Sequence, residues 1–292
     1  MKIALFTRTG FHHTYFINRL QERFGIYCVV REAYPRIKRE GPVVSFVRNL
    51  RMRRQDQRKD EAFLRDFNER YSVGFRFHTM LKDYLKSAFD LVVERPGTRY
   101  VDVECGEING NSFASFLEEL RPDLVVVLGS SVITPRIISI PAGGMINIHS
   151  GLSPYYRGTW SYGWPIVNRE PEYIGVTVHR IDPGIDTGDI IFQTRPALGP
   201  DDDLNAIFLK VIAEGVELAA DAITGVMACS VRLYPQPPGA GRLYLSKDFN
   251  AGTARLCLSL LEEGIIGRYL AEKAQRDAAA PLLGYVPPRL FT

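Results

Sequence analysis

Three residues set the chemical question: Asn147, His149 and Asp186. The first two end the apolar run of "MINIHSGLSPYYRG" (145–158), and the third sits in "HRIDPGIDTGD" (179–189). In a strand, residues two apart share a face, so Asn147 and His149 would be presented together. A side-chain amide can donate an N–H to an oxygen that gains negative charge. An imidazole takes or gives a proton near neutral pH. Asp186 lies between two turn signals, Pro183–Gly184 and Thr187–Gly188. A carboxylate held there can approach a histidine from a neighbouring strand, orient its ring and stabilise its protonated form. Each piece alone also reads blandly. Asn-x-His can be a polar strand end bonded to nearby backbone, and Asp186 an ordinary turn aspartate.

The elements that must position these residues follow from hydrophobic patterning. "KIALF" (2–6) reads as a buried strand, the segment 12–25 as a helix ending at Gly25, and "IYCVVREA" (26–33) as a second strand. Strand, helix, strand opens a parallel, doubly wound sheet. "YVDVE" (100–104), the fully apolar "LVVVLGSS" (124–131) and "MINIH" (145–149) continue it. A helix precedes Pro122, with Asn111 or Ser112 as its cap. "SYGWPIVNRE" (161–170) reads as a helix, "YIGVTVHRID" and "IIFQTRPAL" as strands, and 201–226 as a long helix capped by aspartates. In such a sheet ligands sit beyond the carboxyl ends of the strands, which nominates the loops 129–134 and 147–158.

Two segments interrupt the pattern. Residues 36–59 hold nine cations (Arg36, Lys38, Arg39, Arg48, Arg51, Arg53, Arg54, Arg58, Lys59) against Glu40 and Asp56. The stretch 36–89 is too long for a simple βα connection and reads as a helical insert over one edge of the sheet. After residue 234 comes a linker by composition, "PQPPGAGR" (235–242), then a helical, Pro-rich extension to 292. The organisation expected is a catalytic domain over 1–234 and an appended 235–292.

Composition bounds the class. With 46% hydrophobic and 24% charged residues the chain is globular, and a net charge of +3 does not imply a nucleic-acid partner. Cys28, Cys105, Cys229 and Cys257 are far apart with no C-x-x-C, which suits reduced thiols in a cytoplasmic protein. No apolar run reaches the ~18 residues of a membrane span, and the N-terminus is too short for a signal peptide. No metal-ligand spacing connects His12, His149, His179 and Asp186, so no metal is expected.

Taken jointly, "NIHSGLSPYYRG" followed by "GVTVHRIDPGIDTGDII" resembles the folate-dependent formyltransferase family, most closely over residues 95–200 and loosely over 1–33. The resemblance implies a Rossmann-like, mostly parallel α/β sheet flanked by helices, and a catalytic set of Asn147, His149 and Asp186. It implies 10-formyltetrahydrofolate as cosubstrate. The pterin would lie against Gly129, Ser130, Ser131, Val132 and Ile133 and the turn at Asp182 and Ile185. The loop Gly151, Leu152, Ser153 and Pro154 would border the formyl group. One departure is that Ser150 stands where the family often has Pro, and Gly-Leu-Ser-Pro replaces Ser-Leu-Leu-Pro.

For the acceptor, the loop 155–164 gathers Tyr155, Tyr156, Arg157, Trp160, Tyr162 and Trp164. Rings with a guanidinium suit a sugar nucleotide, though rings also serve as core packing. Of the adjacent His12 and His13, at most one can face the acceptor. His12, Tyr155, Arg157, Trp160 and His179 are the acceptor-side candidates. The expected activity is transfer of formyl to a primary amine, with a nucleotide-linked amino sugar for polysaccharide biosynthesis as first choice. Other amines stay open: an amino acid, a siderophore hydroxylamine or Met-tRNA. So does hydrolysis of the folate. The methionyl-tRNA enzymes of the family carry a C-terminal β-barrel, and the helical, Pro-rich reading of the extension argues against that substrate. The residues do not settle the oligomeric state, a homodimer included.

Overall fold

The computed structural model describes residues 1–34, 54–71 and 91–290. In chain order the strands are β1 (Ile3–Arg8), β2 (Ile26–Glu32), β3 (Arg99–Val103), β4 (Leu124–Leu128), β5 (Met145–His149), β6 (Tyr156–Gly158), β7 (Val176–Arg180), β8 (Ile190–Thr194) and β9 (Arg242–Tyr244). The helices are α1 (Phe11–Arg23), α2 (Arg54–Tyr71), α3 (Asn111–Leu120), α4 (Pro135–Ile138), α5 (Trp164–Val167), α6 (Leu204–Met227), α7 (Ala251–Glu262), α8 (Ile265–Ala271) and α9 (Lys273–Ala279).

Seven strands form one sheet in the order β3-β2-β1-β4-β5-β7-β8. The first five run parallel, and β7 and β8 are antiparallel additions. Strand alternation sorts the core. Ile3, Leu5, Leu124 and Val126 point to the face covered by α1 and α6, while Ala4, Phe6, Val125 and Val127 point to the face covered by α3 and α4. Helix α6 is buried on nearly all sides, with Lys210 paired to Asp202, Glu214 accepting the Arg289 and Leu290 N–H groups, and Glu217 paired to Arg19 and Arg23. Asp203 caps it, accepting from the Ala206 N–H at 2.8 Å.

One local expectation changes. Helix α3 is capped by Gly110, with no side-chain cap from Asn111 or Ser112, because both residues already lie inside the first turn. Of the insert expected over a sheet edge, only α2 is described. Most of the basic run and the segment 80–89 lie outside the described residues. The helix α2 packs against α7 and the loop after β6. Phe63, Phe67 and Tyr71 recur every four residues, giving one aromatic face. That face meets Trp160 and Phe249, and Arg255 pairs with Asp60 at 2.6 Å. The sheet edge at β8 is joined by the chain near its end, where Gln193 bonds Gly284 and Val286. Cys28 and Cys257 are buried and Cys105 and Cys229 exposed, all four as free thiols. No helix among the described residues is long and apolar enough to cross a membrane.

Candidate active site

The pairing of β5 with β7 sets Asn147 opposite His179 and His149 opposite Thr177. Asp186 reaches the same place from the turn between β7 and β8, in the left-handed region at φ 52°. Its Oδ2 lies 3.3 Å from His149 Nδ1 and accepts the Gly158 N–H at 2.8 Å. Its Oδ1 lies 3.4 Å from His179 Nε2. Four groups therefore converge on one carboxylate: Asn147, His149, His179 and the Gly158 amide.

The bonding pattern assigns the protons. The Tyr156 carbonyl can only accept, so His149 Nε2, 2.7 Å away, carries hydrogen and Nδ1 faces Asp186. The Arg180 carbonyl, 2.7 Å from His179 Nδ1, likewise places that ring's proton on Nδ1. His179 Nε2 is then an acceptor and takes one hydrogen of Asn147 Nδ2 at 3.2 Å. The other Asn147 hydrogen reaches Asp186 only at 3.4 Å, beyond the range of a firm bond. It is the hydrogen an incoming oxygen can claim.

Electrostatics keep the pair poised. Burial pulls His149 below its ordinary value, against the opposing pull of Asp186 and of the Tyr156 carbonyl. Burial alone would raise the Asp186 carboxyl. The Gly158 N–H, and the two histidines when protonated, more than reverse that and hold it below the usual carboxylate range. Near neutral pH the carboxylate is charged and His149 Nδ1 is bare. The pair can take up one proton and return it.

These residues stand in a cleft of about 470 Å³. Gly129, Ser130, Ser131, Val132 and Ile133 form one wall, with Asp182 and Ile185 beside them. Val132 and Ile185 leave apolar surface exposed on the two lips. Backbone polar groups flanked by apolar lips fit a flat heterocycle such as a pterin. His12, Trp160 and His179 also line the cleft, joined by Tyr162 and Phe208.

Other expected contacts fall elsewhere. Gly151, Leu152, Ser153 and Pro154 do not line the cleft. They are buried, because polar groups of β7 and β8 draw the loop inward: Thr177 donates to the Gly151 carbonyl at 2.7 Å and accepts the Ser153 N–H at 3.0 Å, while Gln193 donates to the Ser153 carbonyl at 2.6 Å. Tyr155 packs on Tyr173 at 4.7 Å and Arg157 lies in β6, and neither lines the cavity. His13 bonds Thr7 and Tyr34 rather than facing the cleft. His179 is 2% exposed and orients Asn147.

Two supporting residues carry no motif. Glu32, 1% exposed at the end of β2, accepts the Ser131 and Gly106 N–H groups, each at 2.7 Å, and so tethers the 129–133 wall. A charge ending an apolar strand was its one signal. Thr177 could have been found from its strand register with His149, two residues before His179.

Residues 100–223 match the formyl transferase family. Curated relatives include the methionyl-tRNA formyltransferase of Desulforamulus reducens, 40% identical over 114 residues, which is 39% of this chain and 36% of that protein. That of Geobacter metallireducens is 38% identical over 102 residues, 35% of this chain and 32% of that protein. The alignments span about a third of the length of these relatives. A sugar N-formyltransferase from a Shewanella species shares the fold with a TM-score of 0.52 at 14% identity, over 89% of this chain and 88% of that one. An N-formyltransferase from Helicobacter canadensis, solved with folinic acid and dTDP-3-aminofucose, does so with a TM-score of 0.52 at 14% identity, over 89% and 80%. The Asn-x-His strand end and the Asp-x-Gly turn both lie inside the stretch, residues 100–223, that matches the formyl transferase family.

Proposed function

We propose that this protein transfers a formyl group from 10-formyltetrahydrofolate to a primary amine. The observation that carries the reading is the convergence of Asn147, His149 and His179 on the Asp186 carboxylate at the floor of the cleft. The folate supplies an activated formyl carbon. The Asn147 hydrogen held only loosely by Asp186 turns to stabilise negative charge developing on the formyl oxygen. His149, with Asp186 beside it, accepts the proton that the attacking amine must lose, directly or through a water, and returns it to the departing folate nitrogen.

The acceptor in this proposal is a nucleotide-linked amino sugar. Trp160, Tyr162 and Phe208 offer an aromatic wall, and Trp160 is itself stacked on Phe249 at 4.6 Å. Such a wall receives a base or sugar ring by stacking. The nucleotide sugar bound by the Helicobacter canadensis protein is of this kind. Met-tRNA is the second reading, favoured by the names of the curated relatives. Their similarity is confined to about a third of each relative, which leaves the acceptor open.

The test is consumption of 10-formyltetrahydrofolate with and without dTDP- and UDP-linked amino sugars, and with Met-tRNA. Consumption dependent on an amino sugar is expected. It should fall at least ~10³-fold in His149→Ala and Asp186→Ala while both stay folded. Amine-independent consumption would mean hydrolysis, and consumption with Met-tRNA alone would favour the second reading. Near-full turnover by both variants would overturn the assignment.

A further inference from the structure

We propose that the arm formed by residues 234–244 is a positioning element for the Asp186–His149 pair, with Gln236 as its principal side chain. The arm reads as a linker, yet three sets of bonds tie it to the site. At its start Tyr234 exchanges both backbone bonds with Ile190, each at 2.9 Å. In the middle, Gln236 Nε2 donates to the Asp186 carbonyl at 3.0 Å and to the Gly188 carbonyl at 2.6 Å, bracketing the turn that presents the carboxylate. At its end β9 pairs in parallel with β6.

Strand β6 gives this pairing its consequence. Its Tyr156 carbonyl holds His149 Nε2, and its Gly158 N–H holds Asp186 Oδ2. The arm thus steadies the turn directly and both partner groups through β6. Close approach fixes the register. A Cβ on Gly241 would stand 1.6 Å from the Pro154 carbonyl oxygen, and one on Gly158 2.1 Å from the Tyr244 carbonyl oxygen. The Tyr244 ring locks the end of the arm by stacking on Trp164 at 4.2 Å.

The turn needs such a clamp. Asp186 has φ 52°, a conformation that costs a non-glycine residue energy unless its surroundings enforce it. Gln236 is suited to enforce it. Pro235 and Pro237 flank it, so its own backbone and that of its neighbour are restricted before any bond forms. Released from Gln236, the turn relaxes and the carboxylate swings away from His149 Nδ1.

The catalytic consequence rests on the formyl-transfer reading, whereas the placement of Asp186 does not, so the decisive readout is the His149 imidazole itself. The charged and titratable groups facing it are Asp186, His179 and Arg157. The chain has five histidines, few enough to follow by NMR with labelled histidine. The His149 signal is identified by its loss in His149→Asn. Wild type is compared with Gln236→Met, which keeps the volume but removes the donor, with Gln236→Asn, and with Arg255→Ala as a control elsewhere on the extension. The expected result is a lower His149 titration midpoint in Gln236→Met, partial recovery in Gln236→Asn and no change in Arg255→Ala. With an accepted amine, kcat in Gln236→Met should fall about tenfold while both KM values stay within about twofold. An unchanged or raised midpoint in a folded Gln236→Met overturns the proposal. If that variant does not fold, an unchanged midpoint in Gln236→Asn overturns it, and a lowered one supports it. If no amine is formylated by wild type, the functional reading fails and the titration still decides the role of Gln236.

Discussion

The two loops that follow neighbouring strands β4 and β5 are held in opposite ways. The loop 129–133 keeps much of its surface in the cleft, with Val132 67% exposed. Its backbone is tethered by the Glu32 carboxylate at Ser131 and by the Asn109 side chain, which donates to the Val132 carbonyl at 2.9 Å. The loop 151–154 is buried throughout and bonded by Thr177 and Gln193, and the Gln193 amide oxygen in turn accepts the Leu283 N–H at 2.8 Å. The exposed cleft wall is held by few anchors. The loop that backs His149 is over-determined. The two have one thing in common, a buried histidine beneath a glycine. His13 lies under Gly129 and His149 under Gly151.

Acid attacks both supports at once and should produce the largest effect on stability. Burial lowers His13 and His149 below their ordinary values and brings neighbouring His12 down to about 3. Unfolded, all three bind protons near pH 6.5. The sign follows: the unfolded state takes up protons that the folded state refuses, so stability falls as pH drops below about 6.5. Each such histidine contributes about 1.4 kcal/mol per pH unit until its folded value is reached. Asp186 has a depressed value, so its contribution persists above the unfolded carboxylate range near ~4 and is lost only below it. Urea unfolding from pH 7.5 to 4.5 should show this decline, with a shallower slope in His12→Gln. A flat profile would mean that the histidines are protonated in the fold.

Thr177→Val separates the loops next. It keeps the shape but strands the Ser153 N–H, so stability should fall by about 2–3 kcal/mol. Slack beneath His149 should lower kcat about tenfold or more. Lost stability with unchanged kcat would show that the buried loop does not position His149. Glu32→Gln should have the smallest effect, because a neutral amide still accepts one of the two N–H groups. The KM for the formyl donor should rise up to about tenfold with kcat within about twofold. A fall in kcat alone would remove the distinction between ligand wall and catalytic loop.

Much of the fold was legible. The apolar strands β1, β2, β4 and β5 each coincide with a run in the sequence, since a central parallel strand buried on both faces must be apolar throughout. The long helix α6 and its Asp203 cap were equally plain. Asn147 and His149 share a face because strand geometry requires it. Tyr155 and Arg157 do not line the cleft, because local spacing shows which residues are near in the chain but not which of them the fold brings to the cavity. Gly110 displaced Asn111 as cap because a cap depends on where the first turn closes, which spacing locates only to within a residue or two.

The sequence by itself determined which groups could do chemistry and which strands would carry them. These depend on side-chain chemistry and on the period-two geometry of a strand, both local properties. Only the tertiary structure decided that Asp186 meets His149 and His179, that Glu32 tethers Ser131, and that the arm at 234–244 returns to the turn that carries Asp186. Each of these joins residues distant in the chain, and the last two do so through backbone groups. Every residue except proline carries the same N–H and C=O groups, so no residue type or spacing marks such a bond before the chain folds.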